Sequence, residues 1–113
     1  MKKIEAIIKP FKLEDLKVAL VEVGISGLTV EEVQGYGEAK KHSELYRGSE
    51  YQIDFVPHMR LEIIVADNEV TKVTDVIKEV NHTGKAGDGK IFVSSMVNVI
   101  RIRTGETGEN AVG

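Results

Sequence analysis

The sequence predicts an α+β fold in which an antiparallel sheet carries two helices on one face. Strand-like and helix-like segments alternate along the chain, and each half has the order strand, helix, strand over a similar length. Right-handed crossovers would join the halves into a ferredoxin-like βαββαβ sandwich, with a long loop between strands 2 and 3. The other sheet face would then lack cover, so we expect a homo-oligomer that packs sheets together.

The composition is that of one domain, residues 1–113, that can bury its own core. Of the 113 residues 42% are apolar, and the absence of cysteine excludes disulfide frameworks, cysteine metal sites and thiol nucleophiles. No apolar run approaches the roughly 18 to 20 residues of a membrane helix, so we expect a cytoplasmic chain without membrane insertion. The net charge of -3 argues against a nucleic-acid surface.

The first half of the chain contains a strand, a helix and a second strand. An Ile-rich, roughly alternating segment over 2–9 stops at Pro10 and predicts strand 1. Residues 12–23 predict an amphipathic helix that ends before Gly24, because apolar side chains recur there with helical spacing at Leu13, Leu16, Leu20 and Val23. Residues 27–36 are β-branched but alternate imperfectly, which predicts strand 2 with room for a bulge.

Residues 38–55 fit neither period, because the stretch is highly charged and contains only isolated apolar or aromatic side chains. A connection of this length inside a compact domain usually has a function. We therefore predict a functional loop over 37–55. Tyr46 and Tyr51 would serve there as a modification site or partner contact, unless they form a local packing cluster.

The second half repeats the order of the first. After Pro57 the alternation predicts strand 3, and Asp67 or Asn68 would cap a second helix. The core-facing side chains would be Met59, Leu61, Ile63 and Val65 in the strand, and Val70, Val73, Ile77 and Val80 in the helix. Strand 4 would run from Ile91 to Ile102 with a break at Ser94 and Ser95, and the tail 104–113 would order only against a partner.

A glycine-rich loop over 83–90 superficially fits most of the phosphate-loop pattern GxxxxGK[ST]. The match fails because Ile91 follows Lys90 where Ser or Thr is needed, and because the segment leads from helix into strand. Two interpretations stay open. The glycines let backbone N–H groups converge on an anion beside Lys85 and Lys90, or the segment is a plain turn.

Two arginines follow the loop on predicted strand 4. A spacing of two would place Arg101 and Arg103 on one sheet face, while Ile100 and Ile102 face the core. Arginine pairs suit phosphate or carboxylate recognition. The alternative is a solvated edge paired with acidic residues, namely Glu106 and Glu109.

No pattern indicates catalysis or a metal centre. His42, His58 and His82 are too scattered to predict a ligand set, and no nucleophile with a base or paired carboxylates stands out. We therefore predict a protein that is not an enzyme.

Several motifs, taken together, resemble the nitrogen-regulatory PII signal-transduction proteins over the whole chain. The first signature is Tyr-Arg-Gly-Ser-Glu-Tyr at 46–51, and the second is Thr-Gly-Lys-Ala-Gly-Asp-Gly-Lys-Ile-Phe-Val at 83–93. The segments 7–12, 35–37, 42–48 and 101–106 are similar to that family in order and spacing.

The resemblance implies a homotrimer that binds ATP or ADP between subunits, with magnesium accompanying ATP. The loop 37–55 would control an ammonium transporter or an enzyme of nitrogen metabolism. Adenine and ribose would be surrounded by Ile7, Thr29, Gly35, Gly37, Glu62, Ile63 and Ile64. The phosphates would be held by Gly87, Gly89, Lys90, Arg101 and Arg103, with Glu38 and Asp88 beside them. Tyr51 matches a tyrosine that some relatives uridylylate, and Arg47, next to Tyr46, matches an arginine that plugs an ammonium channel.

Three departures from the family pattern fall on one small-anion site. Glu38 stands where the resemblance expects arginine, Ala39 where it expects a magnesium-ligating glutamine, and His58 where it expects a lysine for 2-oxoglutarate. We therefore expect adenine nucleotide binding with 2-oxoglutarate sensing weakened or lost. The alternative function is a trimeric ferredoxin-like metal-tolerance or structural module.

Overall fold

A computed structural model describes residues 1–36 and 55–113, and their architecture confirms the predicted α+β, ferredoxin-like class. The helices and strands are β1 Lys2–Ile8, α1 Leu13–Glu22, β2 Thr29–Gly35, β3 Val56–Val65, α2 Val70–Asn81 and β4 Lys90–Ser95. Short 3-10 helices cover Pro10–Lys12, Asp67–Glu69 and Gly108–Ala111. Within these described ranges the four strands form one antiparallel sheet in the order β2-β3-β1-β4.

The hydrophobic core lies between one face of this sheet and both helices. Along β1, Ile4, Ala6 and Ile8 are almost fully buried, whereas the residues between them are partly exposed. The same cluster includes side chains from both helices and from β3, namely Leu16, Leu20, Leu61, Ile63, Val65, Val73 and Ile77. Both helices therefore cover the same sheet face, as the sequence predicts.

The helices follow the predicted apolar spacing, but the predicted cap of α2 is wrong. Asp67 begins a 3-10 turn before Val70 and makes no capping bond to α2. Its carboxylate instead accepts a hydrogen bond from Lys2 Nζ at 3.2 Å, because the start of β1 lies beside it.

No helix in the described residues is long and apolar enough to cross a membrane.

Strand β2 is shorter than the predicted segment 27–36 and contains no bulge. Its pairing with β3 proceeds one residue at a time, from Thr29 opposite Glu62 to Gly35 opposite Val56. Strand β3 begins at Val56, before Pro57 rather than after it. The imperfect alternation of β2 therefore reflects an edge strand with polar residues on both faces.

The prediction that strand 4 continues to Ile102 is wrong. Strand β4 ends at Ser95, and Ile100 and Ile102 are 62% and 98% exposed instead of facing the core. A tight turn replaces the strand, because Gly105 has a φ of +75° and its N–H donates to the carbonyl of Arg101 at 2.7 Å.

The tail after residue 104 folds against its own chain, so the expectation that it orders only against a partner is also wrong. Ile100 forms an isolated bridge with Thr107, and Gly108 N–H donates to Asn98 Oδ1 at 3.0 Å. Ala111, in the last 3-10 helix, is only 9% exposed.

Two substitutions on α1 test the assignment of the core face. Leu20 is fully buried and Val21 is 64% exposed. We expect Leu20→Ala to lower the free energy of unfolding by about 2 to 5 kcal/mol, because it opens a cavity in the core. Val21→Ala should change it by less than about 0.5 kcal/mol. Urea unfolding measures both, and equal losses would contradict the assignment.

Candidate ligand-binding site

The sheet face opposite the helices, which we call the open face, carries six of the residues predicted to bind nucleotide. Alternate residues of a strand, and residues paired directly across strands, share a face. Ile7 lies opposite Lys90, and Thr29 lies opposite Glu62. The register thus brings together residues from all four strands of the described sheet, namely Ile7, Thr29, Gly35, Glu62, Ile64 and Lys90.

Ile63 does not belong to this group. It is 2% exposed, pairs with Ile4 and packs in the core under the helices. A residue adjacent to Glu62 and Ile64 in a strand must point to the opposite face. The Ile63 side chain is therefore turned away from the open face, although Ile63 also lines the cleft described below, so its place among the nucleotide-binding residues stays a prediction.

The open face carries ion pairs that sequence analysis missed. Glu5 and Glu62 lie directly opposite each other, an arrangement that repels unless cations offset it. Lys3 Nζ lies 3.1 Å from Glu62, and the Arg60 guanidinium donates to Glu5 at 3.1 Å and contacts Glu31. The alternation along strand 3 already assigned Arg60 to this face, but not its partners.

A cleft of about 730 Å³ opens where β2 begins and β3 ends. Its walls are the connection between α1 and β2, the last residues of β3, and parts of the C-terminal segment. Four residues predicted to bind nucleotide line it: Thr29, Glu62, Ile63 and Ile64. The volume lies in the range of small-molecule sites, which is about 300 to 1,000 Å³.

The glycine-rich loop lies at the C-terminal end of β1 and contains three glycines in the left-handed region, a conformation that anion nests use. Gly84, Gly87 and Gly89 have φ angles of +83°, +97° and +102°. A Cβ on Gly89 would lie 1.8 Å from the carbonyl oxygen of Ile7, so the loop backbone approaches β1 closely at this point. Left-handed glycines of this kind let successive N–H groups turn toward one point.

Asp88 is engaged within this loop. Its carboxylate accepts hydrogen bonds from the hydroxyl and N–H of Thr83, the N–H of Gly84 and the ammonium group of Lys9. The Thr83 bonds above all, helped by Gly84 and Lys9, hold the pKa of Asp88 well below its ordinary value. Asp88 therefore stands near the predicted phosphate site as a bonded part of the loop.

The two arginines do not project together from a strand as predicted. Both lie in the turn that follows β4, where Arg103 is exposed. Arg101 Nη2 donates to the carbonyl of Gly113 at 3.3 Å, and its Nε lies 3.4 Å from Glu106. Sequence analysis left open whether Arg101 binds an anion or pairs with acidic residues, and within this chain it pairs with Glu106. Neither arginine lines the large cleft or the smaller pocket beside Lys90.

The described histidines are not arranged as metal ligands. His58 lies on the open face with Nδ1 at 3.0 Å from the carbonyl oxygen of Val56, and His82 is exposed beside Gly84. In residues 1–36 and 55–113, no group of three His, Asp or Glu side chains could hold a metal ion.

Part of the predicted site lies outside the described residues, namely Gly37, Glu38, Ala39, His42, Tyr46, Arg47 and Tyr51. The residues that flank this segment are described. The rings of Tyr36 and Phe55 meet edge to face, with centroids 5.4 Å apart. An aromatic pair therefore joins the ends of β2 and β3 where the segment begins and ends.

Comparisons with known proteins agree with this geometry. The sequence profile of the family "Nitrogen regulatory protein P-II" matches residues 1–106. Similar proteins named Nitrogen regulatory protein P-II from Pasteurella multocida (strain Pm70) and P-II 1 from Escherichia coli (strain K12) are each 57% identical over 112 residues, covering 99% of this chain and 100% of the relative.

Among solved structures, Arabidopsis thaliana PII bound to citrate has a TM-score of 0.79 and 40% identity, covering 97% of this chain and 90% of that one. These relatives are named as regulators and not as enzymes, which confirms the prediction of a non-catalytic protein.

Two glycine substitutions test the close approach of the loop to β1. Gly84→Ala and Gly89→Ala impose the same left-handed strain, which costs about 1 to 2 kcal/mol. Only at Gly89 would the new Cβ collide with backbone, since a Cβ on Gly84 would lie 3.9 Å from its nearest contact, the His82 ring. We expect Gly89→Ala to be about 1 to 3 kcal/mol more destabilising in urea unfolding. Equal losses would show that the loop does not rest on Ile7.

Proposed function

The chain belongs to the nitrogen regulatory protein P-II family, and from this premise we propose that it binds ATP or ADP and conveys the nucleotide state to partner proteins of nitrogen metabolism. One observation carries the proposal: residues of all four described strands, predicted to surround a nucleotide, share the open face, and Ile7 and Lys90 lie where that face meets the glycine-rich loop. We further propose a cytoplasmic location, where such nucleotides and partners occur.

The chemistry of the open face suits a nucleoside. Ile64 offers apolar surface to a planar base, and the Thr29 hydroxyl can donate to ring nitrogens of adenine or accept from its exocyclic amino group. The Glu62 carboxylate can accept hydrogen bonds from ribose hydroxyls while Lys3 offsets its charge. Thr29, Glu62 and Ile64 line a cleft of about 730 Å³, which has room for such a ligand.

The cationic side chains predicted to bind the phosphates do not lie together within one chain. Lys90 follows the glycine-rich loop directly, but Arg101 and Arg103 lie in a separate turn. Beside them Ile100 and Ile102 are exposed, and apolar side chains of this size usually find cover in an assembly. A homotrimer in which the arginines of one subunit reach the loop of its neighbour would meet both needs.

We assign contact with partner proteins to the segment 37–54, which lies outside the described residues. Tyr46 and Arg47 would contact an ammonium transporter or a metabolic enzyme, and Tyr51 would be the site of uridylylation. Its ends are joined to the open face through β2 and β3, so ligand contacts there can bias the segment. These assignments are supported by the motif at 46–51.

Isothermal titration of ADP tests nucleotide binding. Lys90→Met should weaken binding about 10- to 150-fold, which corresponds to the roughly 1.5 to 3 kcal/mol of a charged hydrogen bond. The control Lys17→Met removes the same charge from the exposed surface of α1 and should bind as the unsubstituted protein does.

An unchanged dissociation constant in Lys90→Met would contradict the assignment. Thermal stabilisation by Cu²⁺ or Zn²⁺, with none by ADP or ATP, would instead favour the alternative of a metal-tolerance module.

We also propose that 2-oxoglutarate binds weakly or not at all. Ala39 offers no ligand to magnesium, and His58 puts an imidazole where the family pattern has the ammonium group of a lysine. When Nδ1 of His58 donates to the Val56 carbonyl, Nε2 of the neutral ring is an acceptor and cannot bind a carboxylate. The Arabidopsis relative bound to citrate supports a small polyanion as the ligand class.

Titration of 2-oxoglutarate into protein saturated with Mg-ATP should therefore release little heat. Each of the two losses is expected to weaken binding by about 1 to 3 kcal/mol. The triple variant Glu38→Arg, Ala39→Gln, His58→Lys should gain binding. Saturation of the unsubstituted protein at micromolar ligand, or no gain in the triple variant, would contradict this account of the site.

A further inference from the structure

One carboxylate joins the two ends of the glycine-rich loop. Asp88 Oδ2 accepts hydrogen bonds from the N–H groups of Thr83, at 2.8 Å, and Gly84, at 3.0 Å. Asp88 Oδ1 accepts one from the Thr83 hydroxyl and one from Lys9 Nζ, at 3.3 Å. The carboxylate thus closes the loop and ties it to the residue that follows β1.

These bonds act on backbone that has little other restraint. In the part of the chain that the structure describes, residues 83–88 contain a turn at Ala86 and Gly87, but no backbone-to-backbone hydrogen bond of good geometry joins two of them. Two of those six residues are glycines with positive φ, Gly84 and Gly87, and glycine loses more conformational entropy on ordering than any other residue. The side chains of Asp88 and Thr83 therefore make most of the hydrogen bonds within the loop.

We propose that Asp88 is a positioning residue of the nucleotide site, which holds the glycine-rich loop through Thr83, Gly84 and Lys9 in the form that receives phosphates without touching the nucleotide. This role rests on the proposed function. A loop ordered before the ligand arrives loses less entropy on binding, so its order contributes to affinity.

The observed contacts favour this role over direct contact with the ligand. Both oxygens of Asp88 already accept two donors each, and the side chain is only 22% exposed. A carboxylate next to phosphates repels them, and the ammonium group of Lys9 offsets this charge. The loop is left with the positive charges of Lys85 and Lys90.

The two roles predict opposite changes in ADP affinity when the Asp88 carboxylate is removed. If Asp88 were only a nearby negative charge, its removal would tighten nucleotide binding, because repulsion of the phosphates would fall. If Asp88 positions the loop, its removal frees the backbone and weakens binding. The direction of the change in the dissociation constant for ADP therefore separates them.

The test compares Asp88→Ala with Asp75→Ala in the full chain. Asp88→Ala should weaken ADP binding by about tenfold or more, the scale of one lost charge-assisted hydrogen bond. The amides of Thr83 and Gly84 should exchange their hydrogens faster even without nucleotide. Asp75→Ala removes the same charge from an exposed position on α2 and should alter neither measurement.

A second pair of variants leaves the carboxylate in place. Thr83→Val keeps the size of the side chain but removes the hydroxyl that donates to Asp88, so it should weaken ADP binding in the same direction. Thr83→Ser keeps the hydroxyl and should bind ADP within about twofold of the unsubstituted protein.

Tighter or unchanged ADP binding by Asp88→Ala would overturn the role. Weaker binding with unchanged amide exchange would also overturn it, because the carboxylate would then act on the ligand directly. Failure of the unsubstituted protein to bind ADP or ATP would overturn the proposed function together with this role. Failure of the positioning role alone appears only in the variants.

Discussion

Strand β1 lies between β3 and β4, and its alternating side chains connect the core to the candidate site. Ile4, Ala6 and Ile8 pack under the helices, while Ile7 lies on the open face. A shift of one residue in the pairing would exchange these faces, so burial of the core residues opposes it. The hydrophobic core thus sets the position of the ligand face, although no core side chain contributes to that face.

The glycine-rich loop depends on the same strand. Gly89 packs against the Ile7 carbonyl at a distance that no Cβ allows, and Lys9, just after β1, reaches Asp88. Both contacts involve the last residues of the strand or the first beyond it. The loop is therefore placed by backbone proximity and by one carboxylate, and its N–H groups that are not bonded to Asp88 or to the Thr83 hydroxyl can meet an anion.

Most of the fold was predictable because apolar residues recur with clear helix or strand spacing and Pro or Gly marks the ends of several segments. The glycine-rich turn and the open-face residues of β1 and β3 were also predictable, since alternation assigns faces without knowledge of partners. Predictions failed where a contact or turn outside the local sequence pattern took the place of the structure that the pattern indicated. Asp67 binds Lys2 instead of capping a helix, and the apolar pattern around Ile100 and Ile102 continues past a turn that ends the strand.

By itself, the sequence determined the order of elements, the core-facing stripes and the family, because periodicity and motifs are properties of neighbouring residues. Only the tertiary structure decided which polar groups form ion pairs and hydrogen bonds with each other. It pairs Arg60 with Glu5, Arg101 with Glu106, and Asp88 with Thr83 and Lys9. The lysine and aspartate of that last contact are 79 residues apart, and hydrogen bonds at this separation follow from sheet register and loop packing, which no local pattern encodes.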